Sequence, residues 1–237
     1  MMAWVTSPEA WIGLLTLTAL EIVLGIDNVV FISVLADRLK ASLQASARLT
    51  GLALAMFMRI GLLLSLEWIT QLTQPLLRIS RFDLTGRALI LIGGGLFLLV
   101  KAVREIHDAV EEGGEKTPKL SAPSFTRVIV QILALDLVFS LDSVITAVGM
   151  VDEIPVMIIA IVLAVLVMIA FAGAVSRFIQ RHPSVKMLAL SFLLLIAINL
   201  IADGAGLHIP KGYTYFAMAF SLGVEMLNLR RRRRRRA

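Results

Sequence analysis

Seven apolar stretches, each close to the length needed to cross a lipid bilayer, constrain this chain more than any other feature. A membrane-spanning helix takes about 20 predominantly apolar residues. The stretches lie near residues 10–36, 48–68, 87–104, 126–150, 155–176, 186–205 and 213–229. With 58% hydrophobic residues, 17% charged residues and a mean hydropathy of +0.87, the chain is too apolar for a water-soluble domain. We therefore expect an all-α membrane protein with seven transmembrane helices.

The distribution of basic residues predicts the orientation of these helices. If the N-terminus lies outside, eighteen Lys and Arg residues fall in the inner segments and four in the outer segments. Because Lys and Arg are enriched in cytoplasmic segments, this bias predicts an N-out, C-in orientation in the inner (cytoplasmic) membrane. The net charge of +6 therefore reflects membrane orientation, and we expect no nucleic-acid partner. The run Arg230–Arg236 is expected to contact anionic lipid.

One sequence pattern occurs twice, in the first helix of each half of the chain. Residues 19–35 read ALEIVLGIDNVVFISVL, and residues 134–150 read ALDLVFSLDSVITAVGM. Composition explains shared Leu and Val residues, but it does not explain two acids six residues apart in both copies. The aligned polar pairs are Glu21 with Asp136, Asp27 with Asp142, and Asn28 with Ser143.

The polar linker between the two copies predicts the organisation of the chain. Residues 1–104 are expected to form a first three-helix repeat, residues 105–124 a cytoplasmic linker, and residues 125–206 a second three-helix repeat. Residues 207–237 then form a seventh helix with a polyarginine tail. Since each repeat crosses the membrane an odd number of times, the second enters from the opposite side. Such inverted repeats commonly build a transport site near the bilayer midplane.

Four acids of the repeated pattern lie inside predicted spans: Glu21, Asp27, Asp136 and Asp142. An ionised Asp at the centre of a membrane helix costs roughly 2.5–3.5 kcal/mol even on the mildest scale. Such acids either line a functional site or form hydrogen bonds and ion pairs that hold the bundle together. Their symmetric recurrence favours a site.

The spacing of the acids raises a geometric question. Residues i and i+6 point about 120° apart on an ideal helix, so Glu21 and Asp27 would not share a face. Gly25 lies between them and permits local unwinding. We therefore predict a break near Gly25 that turns both carboxylates inward, as in the broken helices of transporters.

The donor atoms of this predicted site are all oxygen. The acids, with Asn28 and Ser143, would suit hard divalent cations such as Mg²⁺, Ca²⁺ or Mn²⁺, and the chain has no Cys. Arg59 within the second span is the candidate for balancing excess negative charge. Acids that share a site bind protons more readily, so we predict exchange of metal for protons. Asn199 and Asp203, four residues apart near the outer end of helix six, either form an outer vestibule or cap the helix.

The same residues carry a resemblance to a known family. The segments LEIVLGIDNVVFIS (20–33), LDLVFSLDSVITAVGM (135–150) and HIPKGYTYFAMAFSLGVEMLN (208–228) resemble the TerC family of integral membrane proteins, within the lysine-exporter-like superfamily. The resemblance implies that Glu21, Asp27, Asn28, Asp136, Asp142 and Ser143 are the acidic-motif positions, and that Mn²⁺ is the exported ion. The family is also associated with tellurite resistance, but an oxyanion would be repelled by an acidic pocket.

Three functions therefore compete. The first is a divalent metal exporter for manganese, and the second is a non-transporting membrane scaffold linked to tellurite or stress resistance. The third is an exporter of a cationic small molecule. No nucleophile and base are paired in the sequence, so we do not expect an enzyme. The oligomeric state is not predicted.

Overall fold

The computed structural model describes residues 7–65, 75–79, 82–111, 123–148, 150–151 and 153–234. Within these residues the chain forms seven helices and one short hairpin. The helices are α1 (Pro8–Ala36), α2 (Ala41–Leu64), α3 (Gly86–Glu111), α4 (Phe125–Val148), α5 (Ile154–Arg181), α6 (Pro183–Gly204) and α7 (Lys211–Arg234). The strands are β1 (Pro75–Ile79) and β2 (Phe82–Thr85), paired antiparallel.

Five of these helices are long and apolar enough to cross a membrane, namely α1, α2, α3, α5 and α6. Large apolar side chains also cover the outside of several helices: Leu15, Phe57, Phe171 and Phe216 are between 62% and 72% exposed. Water-soluble proteins rarely leave apolar surface of this extent uncovered. The structure is therefore that of an all-helical, multi-pass membrane protein carrying one small hairpin.

The chain divides into two compact units, and the first comprises residues 1–74 and 119–177. Ser7 caps the start of α1, since its Oγ accepts a hydrogen bond from the Ala10 amide at 3.3 Å. The short turn after α1 is closed by Gln44, whose Nε2 donates to the carbonyl oxygens of Asp37 and Leu39. Such a short connection makes α1 and α2 antiparallel neighbours. Both helices pack on α4, and a Cβ at Gly51 would lie 3.0 Å from Ile132 Cδ1.

The second unit comprises residues 75–118 and 178–237, and its core is the pair α3 and α6. A Cβ at Gly95 would lie 2.9 Å from the Ala197 carbonyl oxygen and 2.7 Å from Ile201 Cγ1. A Cβ at Gly204 would meet the same atoms of Ala88 and Ile92, at 3.0 and 2.7 Å. Two glycines thus let the backbones approach closely in an antiparallel register.

These contacts reveal a second repeated pattern, which the sequence analysis missed. Residues 88–95 read ALILIGGG and residues 197–204 read AINLIADG. In each copy Ala, Ile and Gly occur at the same spacing, and in each the Gly packs against the Ala and Ile of the other copy. The contact is therefore symmetric between α3 and α6.

Several helix bounds differ from the predictions. Helix α2 begins at Ala41 rather than near 48, because its polar, alanine-rich first turns favour a helix without being apolar. Helix α3 continues to Glu111, so residues 105–111 of the predicted linker are helical. The two compact units cut across the predicted repeats, because each unit combines segments from both halves of the chain.

The predicted break at Gly25 is wrong. Helix α1 is continuous from Pro8 to Ala36. A Cβ at Gly25 would collide with the Sδ of Met168 on α5, so this glycine permits close helix packing rather than unwinding.

Candidate functional site

A buried arginine joins three helices of the first unit. Arg59 on α2 is only 4% exposed. Its Nη1 donates to Glu21 Oε2 on α1 at 2.7 Å. Its Nε and Nη2 donate to the two carboxylate oxygens of Asp136 on α4, the first at 3.1 Å. The guanidinium thus makes a two-pronged ion pair with Asp136, the strongest geometry available to this side-chain pair, and a single ion pair with Glu21.

Asp136 accepts two more hydrogen bonds. Asn28 Nδ2 donates to Oδ1 at 3.3 Å, and Ser140 Oγ donates to Oδ2 at 3.0 Å. Each oxygen of Asp136 therefore accepts two donors. Because an ionised carboxylate offers about four acceptor positions, Asp136 is saturated in this arrangement.

Helical spacing explains why these residues meet. Glu21 and Asn28 are seven residues apart, about two turns, so they share one face of α1. Asp136 and Ser143 stand in the same relation on α4, with Ser140 one turn after Asp136. Ser143 is buried and its Oγ donates to the Ser140 carbonyl at 3.3 Å. The first acid of each repeated pattern is thus placed without any break in the helix.

The second acid of each pattern, Asp27 and Asp142, occupies a helical position in α1 and α4, but both side chains lie outside the described part of the structure. Among the side chains that are described, no group of three or more His, Asp or Glu residues could hold a metal ion. Of the six residues in the predicted metal site, the structure therefore describes the side chains of four: Glu21, Asn28, Asp136 and Ser143.

The described charges of this cluster do not balance. Glu21 and Asp136 are 5% and 4% exposed, and they share the single positive charge of Arg59. If both acids are ionised, one negative charge is left over.

Beside the cluster is a shallow recess. Its lining residues are Asn28, Phe31, Ile32, Ile132, Leu135, Asp136 and Phe139.

The two candidate vestibule residues lie in the second unit. Asn199 Nδ2 donates to Thr214 Oγ1 on α7 at 2.5 Å. Asp203 Oδ1 is 3.0 Å from Nδ1 of His208, in the connection to α7. Both side chains therefore connect α6 to the segment that follows it, and the choice between a vestibule and a helix cap stays a prediction.

A second polar cluster of the first unit was missed by the sequence analysis. Arg48 Nη1 on α2 donates to Ser176 Oγ on α5 at 3.1 Å and lies 4.0 Å from Asp37 Oδ1. Ser176 Oγ in turn donates to Asp37 Oδ1 at 3.4 Å. Asp37, Arg48 and Ser176 lie at or next to the ends of the predicted apolar stretches 10–36, 48–68 and 155–176, where polar residues are ordinary, so the sequence carried no signal for the cluster.

Comparisons with known proteins agree with these observations. The sequence model described as "Integral membrane protein TerC family" matches residues 6–237. The UPF0053 protein of Haemophilus influenzae is 53% identical, and the alignment covers 98% of this chain and 99% of the relative. The UPF0053 inner membrane protein YgdQ of Escherichia coli is 52% identical over 99% of this chain and 98% of its own. The inner membrane protein YoaE of Escherichia coli is 49% identical over 96% of this chain, but only 44% of YoaE is covered. No solved structure matches the chain.

Proposed function

Because the chain belongs to the TerC family of integral membrane proteins, we propose that it exports a divalent metal cation, Mn²⁺, across the inner membrane in exchange for protons. The observation that carries this proposal is the buried cluster in which Glu21 and Asp136, the first acids of the two repeated patterns, meet at Arg59. Asp27 and Asp142 occupy the second acidic position of each pattern, six residues further along the same helices.

The chemistry of the cluster supports a hard cation. Carboxylate, amide and hydroxyl oxygens are provided by Glu21, Asn28, Asp136, Ser140 and Ser143, and these are the donors that Mg²⁺, Ca²⁺ and Mn²⁺ prefer. Buried acids within membrane helices are costly and usually functional. Manganese is the ion implied by the resemblance, and other hard divalent cations suit the same donors.

Proton exchange answers an energetic requirement. Moving a divalent cation outward against an inside-negative potential of 100 mV costs about 4.6 kcal/mol, at about 2.3 kcal/mol per charge. Protons entering through the same carboxylates would supply this energy. The negative charge that is left over when both acids are ionised supports a site that binds either a metal ion or protons.

For the architecture, we propose seven spans, N-out and C-in, built from two inverted three-helix repeats and a final helix. The symmetric, antiparallel contact between α3 and α6 supports inverted repeats, and the distribution of Lys and Arg supports the orientation. Arg230–Arg236 would then contact anionic lipid on the inner face, at about 1 kcal/mol per residue.

The test is Mn²⁺ flux in liposomes that contain the purified full-length protein, with an imposed pH gradient. We expect flux that depends on the gradient and falls at least tenfold in Asp27→Asn and in Asp142→Asn, because each removes a carboxylate from a repeated pattern. Glu9→Gln, at the exposed start of α1, is the matched control and should transport like the unmodified protein. Absence of flux above that of empty liposomes would contradict the proposal, and unchanged flux in both Asp variants would contradict the site.

The ion pairs of Arg59 also favour a second candidate, a membrane scaffold that does not transport. In that case the acids serve only to fasten α1, α2 and α4 to one another through the guanidinium. This candidate predicts no flux of Mn²⁺ or of lysine, together with loss of stability in variants of Arg59 and its partners.

A further inference from the structure

The carboxylates of the proposed cation site are already occupied by a cation that belongs to the chain. Arg59 places three N–H donors on Glu21 and Asp136. With the donors from Asn28 and Ser140, Asp136 has no acceptor position left. A metal ion can therefore coordinate Asp136 only after a donor leaves, and the guanidinium, which donates to both oxygens, is the donor whose positive charge also repels the ion.

We propose that Arg59 is an internal competitor of the transported cation. The cation displaces the guanidinium when it binds, and the cation is expelled when the guanidinium returns to the two acids. This inference rests on the proposed function, because it concerns regulation of the same site. Arg59 is a positioning residue in this scheme, since it acts on the ion only through Glu21 and Asp136.

Electrostatics explain why such a competitor is needed. Two carboxylates left bare among apolar helices are strongly destabilising, so a transporter must keep them neutralised in the half of its cycle without substrate. A tethered guanidinium neutralises one of the two charges without leaving the protein, and a proton taken up in the exchange neutralises the other. The guanidinium carries one positive charge and the metal ion carries two, so the metal ion can displace the guanidinium. When the guanidinium returns, it weakens the binding of the metal ion to the carboxylates.

Removal of Arg59 should therefore tighten metal binding. The experiment measures the Kd for Mn²⁺ of the purified, detergent-solubilised full chain, from the electron paramagnetic resonance signal of free Mn²⁺. In Arg59→Ala we expect the Kd to fall by about 5- to 150-fold, the range of typical coupling between two ligands. Mn²⁺ flux in liposomes should fall in the same variant, because the ion is no longer expelled. A purely structural role predicts weaker binding.

A small-molecule substitute sharpens the test. Methylguanidinium at millimolar concentration should raise the Kd of Arg59→Ala towards the unmodified value, because it can fill the vacated place. It should leave the Kd of the unmodified protein unchanged. The matched control is Arg48→Ala, which removes a paired arginine from the same helix at the second polar cluster. Its Kd should equal that of the unmodified protein.

Arg59→Lys covers the case in which Arg59→Ala fails to fold. Lysine keeps the charge but lacks the planar fork, so the Kd should fall, though less than in Arg59→Ala. An unchanged or raised Kd in whichever of the two variants folds would overturn the inference. If the unmodified protein transports Mn²⁺ but these Kd changes are absent, only the role of Arg59 fails. If the unmodified protein neither binds nor transports Mn²⁺, the proposed function fails and this inference fails with it.

Discussion

At the scale of single residues, Asp136 holds the buried cluster together. It accepts four hydrogen bonds from three side chains: two from Arg59, one from Asn28 and one from its neighbour Ser140. Glu21 receives a single donor of Arg59. The two acids are equivalent in the repeated pattern, but they are unequal in their contacts, so their removal should have unequal effects.

Asp136→Asn should destabilise the protein by about 3–5 kcal/mol, the usual effect of breaking one side of a buried ion pair. The amide NH₂ would face the N–H groups of Arg59, so two donors would oppose each other. Glu21→Gln should be milder, because it disturbs one hydrogen bond. Unfolding in detergent solution, followed by circular dichroism, measures both variants. Equal stability of Asp136→Asn and the surface control Glu9→Gln would contradict the assigned geometry.

At the scale of helices, the contact between α3 and α6 depends on the absence of side chains at Gly95 and Gly204. In both places an added Cβ would press on backbone atoms of the facing helix, at 2.9–3.1 Å. Backbone atoms cannot turn aside as a flexible side chain does. Gly93, on the same helix as Gly95, has open space at the corresponding position.

Gly95→Ala and Gly204→Ala should therefore each lower stability, by about 1–3 kcal/mol from overpacking, and by similar amounts because their contacts are symmetric. Gly93→Ala should be neutral or stabilising by about 0.5–1 kcal/mol, since Ala favours a helix over Gly. Thermal unfolding of the three variants under identical conditions is the measurement. A loss in Gly93→Ala equal to that in Gly95→Ala would show that helix packing is not the cause.

The helices themselves could be predicted because hydropathy and length are properties of the local sequence. Their ends could not, since the first turns of α2 and the last turns of α3 are polar, and nothing in the apolar pattern marks them. The tight contact of Gly25 with Met168 was equally hidden, because it joins residues far apart in the sequence. A glycine within an apolar helix is compatible with both unwinding and close packing, and only the neighbouring helix decides between them.

The candidate site was predictable in its residue types but not in its bonding. Repetition of the acids identified Glu21 and Asp136, and the apolar setting of Arg59 identified a counter-charge. That the guanidinium would contact both acids, with Asn28 and Ser140 completing Asp136, depends on how α1, α2 and α4 pack. The asymmetry between the two acids has no counterpart in the sequence.

At the scale of the whole molecule, the orientation in the membrane determines what the proposed transporter does. Metal export requires that the site take ions from the inner side and release them outside, and the charge distribution predicts which ends of the helices are inner. The end of α3 at Glu111 and the connection after α6 at Leu207 are predicted to lie on opposite sides. Both side chains are exposed, Glu111 at 68% and Leu207 at 67%.

The absence of Cys from the sequence makes this orientation directly testable, because any introduced Cys is the sole labelling site. In spheroplasts, a membrane-impermeant maleimide should label Leu207→Cys but not Glu111→Cys. After the membrane is permeabilised, both variants should be labelled, which shows that both thiols are reactive. The positive-inside rule requires this pattern if α3 ends inside and α6 ends outside. Labelling of Glu111→Cys alone in intact spheroplasts would show that the orientation is opposite to the predicted one. Labelling of both variants would mean that the chain crosses the membrane an even number of times between residues 111 and 207. The predicted seven spans place three crossings there, so this result would contradict the span count.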